Sequence, residues 1–308
     1  MTNRDEAVSL PSMPDRSLFM VYLKLLLMAM FWGGTFIAGR LLAGQVEPFA
    51  AAFLRFAIAS ATLLIITLRT SGRIPPVQRN QWLPLLLLGC SGIFAYNAMF
   101  FKGLQLIEAG RAAVIIANNP IVIALFAALL LGEKLNLNKI IGILLSVFGA
   151  IVVITHGHPE RLLSEGIGRG EWYIFGCVAS WVIYSLVGRV AMRGFSPLVA
   201  VTYSSLIGTL LLFPAALVEG LFRQIGSYPL SAWGSLLYLG LCGTVLGFVW
   251  YYQGIQKIGS TRAGQFINFV PVSAVLLSVW LLDEPLTGSL LIGLLLVSGG
   301  VYLANRKT

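Results

Sequence analysis

The sequence predicts an all-α integral membrane protein whose ten transmembrane helices form two inverted five-helix repeats. Three observations carry this. The 308-residue chain is 57% hydrophobic and only 11% charged, with a mean hydropathy of +0.86. An ordinary soluble domain is about 45–50% apolar and about 25% charged. Twelve acids and two histidines cannot clothe a globular surface, which excludes a water-soluble enzyme, and the wealth of apolar side chains excludes intrinsic disorder. The apolar residues fall into ten long runs, and a hydrocarbon core of about 30 Å asks for about 20 residues per helix. Finally, the chain repeats itself at a near-constant interval.

The runs lie at about 18–39, 48–68, 82–104, 111–131, 138–155, 171–190, 197–218, 233–256, 262–282 and 287–304. Two-residue alternation is absent, so a β-barrel is not supported. The first run follows 17 mostly polar residues and is too long for the apolar core of a signal peptide. It reads as a retained first helix. The organisation expected is a cytoplasmic tail (1–17), a first five-helix repeat (18–155), a linker loop (156–170) and a second five-helix repeat (171–308). The three cysteines, Cys90, Cys177 and Cys242, all fall within spans and read as small buried residues.

Orientation follows from the basic residues. Of 21 lysines and arginines, 14 fall on the side of the N-terminus and six (Arg40, Lys102, Arg111, Arg161, Arg169, Arg223) on the other, with Arg55 inside a span. Cytoplasmic loops carry the excess, so both termini are expected in the cytoplasm. The net charge of +9 is thus mostly an orientation signal, and no nucleic-acid partner is implied.

The duplication is the most informative feature. Trp82, Gly89, Gly92, Gly103, Arg111 and Pro120 recur as Trp233, Gly240, Gly243, Gly254, Arg262 and Pro271, each 151 residues later. Glu133, Gly142 and Gly149 recur as Glu284, Gly293 and Gly300 at the same interval. Upstream, Trp32, Gly39, Arg40 and Pro48 recur as Trp181, Gly188, Arg189 and Pro197 at an interval of 149. Each copy holds five spans. Five is odd, so the second copy enters the membrane upside down, which is a transporter architecture with a site at the repeat interface.

These residues carry a resemblance. A first span with FWGGTF (31–36), a second with Pro48 and Arg55-Phe56, and a fourth with a central Pro120 and terminal Gly132-Glu133 are followed by a repeat with Pro271 and Asp283-Glu284. The chain resembles the EamA-type members of the drug/metabolite transporter superfamily over about residues 20–305, and within it the bacterial YddG-like aromatic amino-acid exporters. The resemblance implies ten helices in two inverted halves and a transporter of small metabolites. The second half departs from the first: Arg55 aligns with Ser204 and Gly132 with Asp283.

A substrate path needs polar or aromatic groups at membrane depth. Trp82, Trp172, Trp233 and Trp280 lie near span ends and read as interface anchors. Trp32 and Trp181 sit near the midplane, with Thr35 and Tyr184 three residues on and so on the same helical face. This face is expected either to pack each Trp between helices with its N–H satisfied or to line a central cavity. Tyr96, Asn97 and Phe101 in the third span, and Phe248 and Tyr252 in the eighth, are candidates for its walls. Asn97 serves either a ligand or a helix–helix hydrogen bond. In Asn118-Asn119-Pro120 the proline breaks the helix, and the amides either meet a zwitterionic substrate or brace the kink. Asn268 with Pro271 is a related arrangement.

Arg55 has either a structural or electrostatic role or attracts a substrate carboxylate. Glu133 and Glu284 are candidate gates, with helix capping as the alternative. No Asp or Glu lies mid-span, and proton-coupled carriers usually rely on such groups. The reading is therefore facilitated export of amino acids, aromatic and other apolar ones, by alternating access and without obligatory ion coupling. A proton-antiport exporter of drugs or nucleotide-like metabolites is the alternative; a channel or a membrane-embedded enzyme is remote. No cofactor or metal is expected, since His156 and His158 share one loop with no third ligand near. Oligomeric state is left open by the sequence.

Overall fold

The computed structural model describes residues 16–131, 136–158, 160, 166–191 and 196–305. Among these there is no strand, and ten helical segments are long and apolar enough to cross a bilayer: Leu18–Leu42, Pro48–Ser71, Arg79–Leu104, Ala109–Phe126, Leu137–Ile154, Arg169–Gly188, Pro197–Val218, Leu230–Ile258, Arg262–Leu282 and Gly288–Asn305. We number them spans 1 to 10. Each overlaps its expected run, with ends shifted by a few residues where frayed turns extend the helix.

Local chemistry fixes the starts and stops. Spans 2 and 7 both begin with a proline at the first helical position, Pro48 and Pro197, where its missing N–H is no loss. Ser196 caps span 7 by accepting from the Val199 amide at 3.4 Å, and Asn136 caps span 5 by accepting from Lys139 at 2.9 Å. Gly72 ends span 2 at φ 69°, which glycine adopts without strain.

The two halves interlock as inverted copies. Span 1 packs on spans 8 and 9, and span 6 correspondingly on spans 3 and 4. The self-paired spans mark the pseudo-two-fold relation. Spans 2 and 7 are joined by Thr67–Thr202 and Ser60–Thr209 hydroxyl pairs at 2.9 and 3.0 Å. Spans 5 and 10 meet backbone to backbone: a Cβ at Gly142 would stand 2.5 Å from the Gly300 carbonyl oxygen, and one at Gly300 2.6 Å from that of Gly142. Small residues allow this approach where packing, not water exclusion, drives association. Ser146 and Gly149 pack on span 10 in the same way, against Gly300 and Gly293.

Two irregularities were not anticipated. Span 3 turns π-helical over Gly89–Ala95 and span 8 over Tyr238–Leu246, at equivalent places in the two repeats. Such segments are rare and concentrate at functional sites. Spans 4 and 9 are also interrupted. Span 4 breaks between Ile116 and Asn119, and span 9 passes through a 3-10 turn at Phe266–Asn268. Pro120 and Pro271 stand in the first turn after each break.

Candidate functional site

The π segments leave carbonyls without their usual partners, and side chains supply them. Asn97 donates its amide to the carbonyls of Gly92 and Ile93 at 3.3 and 2.8 Å, and the Thr244 hydroxyl donates to Leu239 at 3.0 Å. Arg55 joins the two segments. Its Nη1 donates to Asn97 Oδ1 at 2.9 Å and its Nε to Thr244 Oγ1 at 3.3 Å. One guanidinium from span 2 therefore rivets a π segment of the first half to one of the second. Trp32 adds a second tie, donating Nε1–H to the Gly243 carbonyl at 3.0 Å.

Around this point the mid-span aromatics form two clusters, each drawn from both halves. Trp32 meets Phe248 and Tyr251, each with ring centroids 5.6 Å apart, and Phe248 stacks on Tyr252 at 6.2 Å. On the other side Trp181 stacks on Tyr184 at 5.1 Å and meets Tyr96 at 5.6 Å. The clustered residues Trp32, Tyr96, Trp181, Tyr184, Phe248, Tyr251 and Tyr252 are only half-buried although they sit deep in their spans. Of the anticipated residues, Thr35 lies against Gly243 and bonds back to the Trp32 carbonyl at 2.6 Å. Phe101 is fully buried and packs on Phe100.

The amides divide. Asn97 is satisfied as described. Asn118 is satisfied too, accepting from Ser146 at 2.7 Å and donating to Val114 and Ile115. Asn119, 8% exposed, has an Oδ1 with no partner. Asn268 is half-buried at the start of the helix Phe269–Leu282 and makes no capping bond there. Thr244 carried no signal in the sequence, Gly243 stood there only as a repeat landmark, and Tyr251 only as the neighbour of Tyr252 in the eighth span.

The end of the bundle opposite Arg16 and Asn305 is sealed by contacts between halves. Glu284 accepts from the amides of Ala109 and Gly110 at 2.7 and 3.0 Å, and Glu219 from those of Phe49 and Ala50 at 2.8 and 3.0 Å. Both carboxylates sit where helix N-termini favour negative charge. Burial nonetheless raises the Glu219 pKa above the ordinary carboxylate value; the two amides and Lys102 oppose the rise and Glu47 adds to it. Arg111 pairs with Glu171 at 2.7 Å and donates to the Ile154 carbonyl, and Lys102 stands over the rings of Phe49 and Tyr173. Glu133 lies outside the described residues. At the other end a cleft of about 240 Å³ opens between spans 1 and 8, lined by Met20, Val21, Lys24, Trp250, Gln253 and Lys257.

Inverted five-helix repeats with interrupted helices are the architecture of a membrane transporter. Residues 19–155 and 168–306 each match the EamA-like transporter family, and the chain belongs to that family. It is a multi-pass membrane transporter, not an enzyme. It is 31% identical over 285 residues to the "Uncharacterized transporter YyaM" of Bacillus subtilis (strain 168), covering 92% of this chain and 93% of that one. It is 28% identical over 256 residues to a "Probable terminal-alkyne amino-acid exporter" of Streptantibioticus cattleyicolor, covering 82% of each. A crystal structure at 22% identity superposes with a TM-score of 0.62 over 92% of this chain and 97% of its own, which establishes likeness of fold.

Proposed function

We propose that the protein exports amino acids, aromatic and other apolar ones, across a bacterial inner membrane by alternating access. The observation that carries this is the pair of mid-span aromatic clusters, each built from both halves. Aromatic faces bind apolar and aromatic groups through area and quadrupole, and a site shared by two inverted halves is reached from either side as they rock. Similarity to an amino-acid exporter supports the substrate class.

With the termini read as cytoplasmic from the 14-to-6 distribution of basic residues, the end closed by contacts between the halves is the outer one. Charged residues in the described spans are mostly at helix ends, and the central site holds a cation but no acid. Transport accordingly runs down the substrate gradient without an obligatory proton. The test is counterflow in proteoliposomes, with a panel of amino acids set against nucleotide-like metabolites and cationic drugs. Saturable amino-acid exchange is expected. Exchange of drugs or nucleotides alone, or accumulation driven by a proton gradient, overturns the reading; non-saturating flux makes it a channel.

A further inference from the structure

We propose that Arg55 is the docking group for a carboxylate on the substrate, so that the site takes apolar or aromatic molecules bearing one carboxylate. This deepens the amino-acid reading above and rests on it.

Arg55 is 8% exposed and lies seven residues after Pro48, well inside span 2. Its polar partners, Asn97 and Thr244, are neutral, as is the Phe56 ring beneath the guanidinium carbon at 5.1 Å. Among the described residues the ion pairs are Arg111–Glu171 and His158–Glu160, and Arg55 is in neither. A guanidinium stays charged and carries five N–H donors; these two partners occupy two of them. A buried charge is tolerated when paired, and here the protein supplies hydrogen bonds but no counter-charge.

The partners hold the guanidinium in place. Asn97 spends its amide hydrogens on Gly92 and Ile93, so its oxygen is fixed toward Arg55. Thr244 spends its hydrogen on Leu239, so its lone pairs face Nε. Nη2 lies 3.9 Å from where a Gly243 Cβ would stand, at the residue whose carbonyl Trp32 holds. A planar fork with a free edge matches a carboxylate. The repeat places Ser204, not a second arginine, at the equivalent position, so the site offers one cation and orients its ligand one way.

The experiment is counterflow of labelled phenylalanine in proteoliposomes against four competitors: phenylalanine, 3-phenylpropionate, phenylalaninamide and phenethylamine. The two acids should compete about tenfold or more better than the amide and the amine, because a site built for one polar group rejects analogues lacking it. In Arg55→Gln that preference should collapse and the KM for phenylalanine rise about tenfold, while Arg55→Lys keeps the preference with weaker binding. Equal competition by all four in the wild type overturns the proposal, as does a folded Arg55→Gln that keeps the preference. Where Arg55→Gln fails to fold, Arg55→Lys decides: unchanged KM for phenylalanine overturns it. Phenylalanine carried without discrimination sinks the carboxylate role alone; no flux of phenylalanine or 3-phenylpropionate sinks the amino-acid reading with it.

Discussion

Glu284 of the second half caps the helix that begins at Ala109 in the first, its two carboxylate oxygens taking the amides of Ala109 and Gly110 at 2.7 and 3.0 Å. Glu284 is 9% exposed, so these bonds are sheltered from competing water. The cap exists only while the two halves meet at this end. On the alternating-access reading it is a bond that opening must break.

Removing the cap should shift the conformational balance more than it disturbs the fold. Glu284→Ala loses two charge-assisted bonds at a helix N-terminus, of the order of 1–2 kcal/mol for a cap. Spin labels on Leu106 and Leu286, exposed loop positions from opposite halves, report the gap. The distance should lengthen or broaden in Glu284→Ala. An unchanged distribution means the end is held closed by the other contacts.

Glu219 gives the closed end a pH dependence whose sign can be worked out. With the end closed, burial raises its pKa above the ordinary value it regains when opening restores water. The closed form then binds the proton more tightly. Between the ordinary and the raised value, falling pH favours closure, and rising pH charges a desolvated carboxylate and favours opening. The same sign applies to folding: this contribution is lost as pH rises through the raised value. Labels on Leu41 and Phe222 should show the closed population growing on mild acidification. Glu219→Gln should remove that response; a response that survives the substitution assigns the titration elsewhere.

Asn118 and Asn119 should separate by assay. Asn118→Ala orphans the Ser146 hydroxyl, which donates to Asn118 at 2.7 Å, and costs about 1–3 kcal/mol for an unsatisfied buried group. Asn119 Oδ1 has no partner to lose, so Asn119→Ala should leave detergent melting temperature unchanged or raise it. Altered transport kinetics in folded Asn119→Ala would link that oxygen to the substrate path. A melting loss equal to that of Asn118→Ala would instead give Asn119 a bracing role.

Much of this architecture was legible because bilayers impose long apolar runs and inverted repeats leave paired landmarks. The ten spans, the breaks before Pro120 and Pro271 and the glycine face at Gly142 were all readable on that basis. The π segments were not, since hydrophobic periodicity over seven to nine residues does not distinguish them from α-helix. Nor was the difference between Asn118 and Asn119, which depends on Ser146 in another span. Arg55 was recognisable as an unusual charge; that it bridges Asn97 and Thr244 depends on three spans meeting.

The duplicated tryptophans look equivalent in sequence and are not equivalent in the fold. Trp32 donates to the Gly243 carbonyl of the second π segment, and its indole fills the space a Gly247 Cβ would need. Trp32→Phe keeps the aromatic face but leaves that carbonyl without its indole donor, so it should lower the melting temperature and, by loosening the segment that holds Thr244, weaken substrate binding. Trp181 is placed by ring contacts alone, between Tyr184 and Tyr96. Trp181→Phe should therefore be nearly silent, whereas Trp181→Ala removes a wall of its cluster and should raise KM for aromatic substrates about tenfold, the scale of an aromatic contact plus its buried area. Melting curves and counterflow on the three variants check this. Equal losses in Trp32→Phe and Trp181→Phe would mean that the two halves use their tryptophans alike.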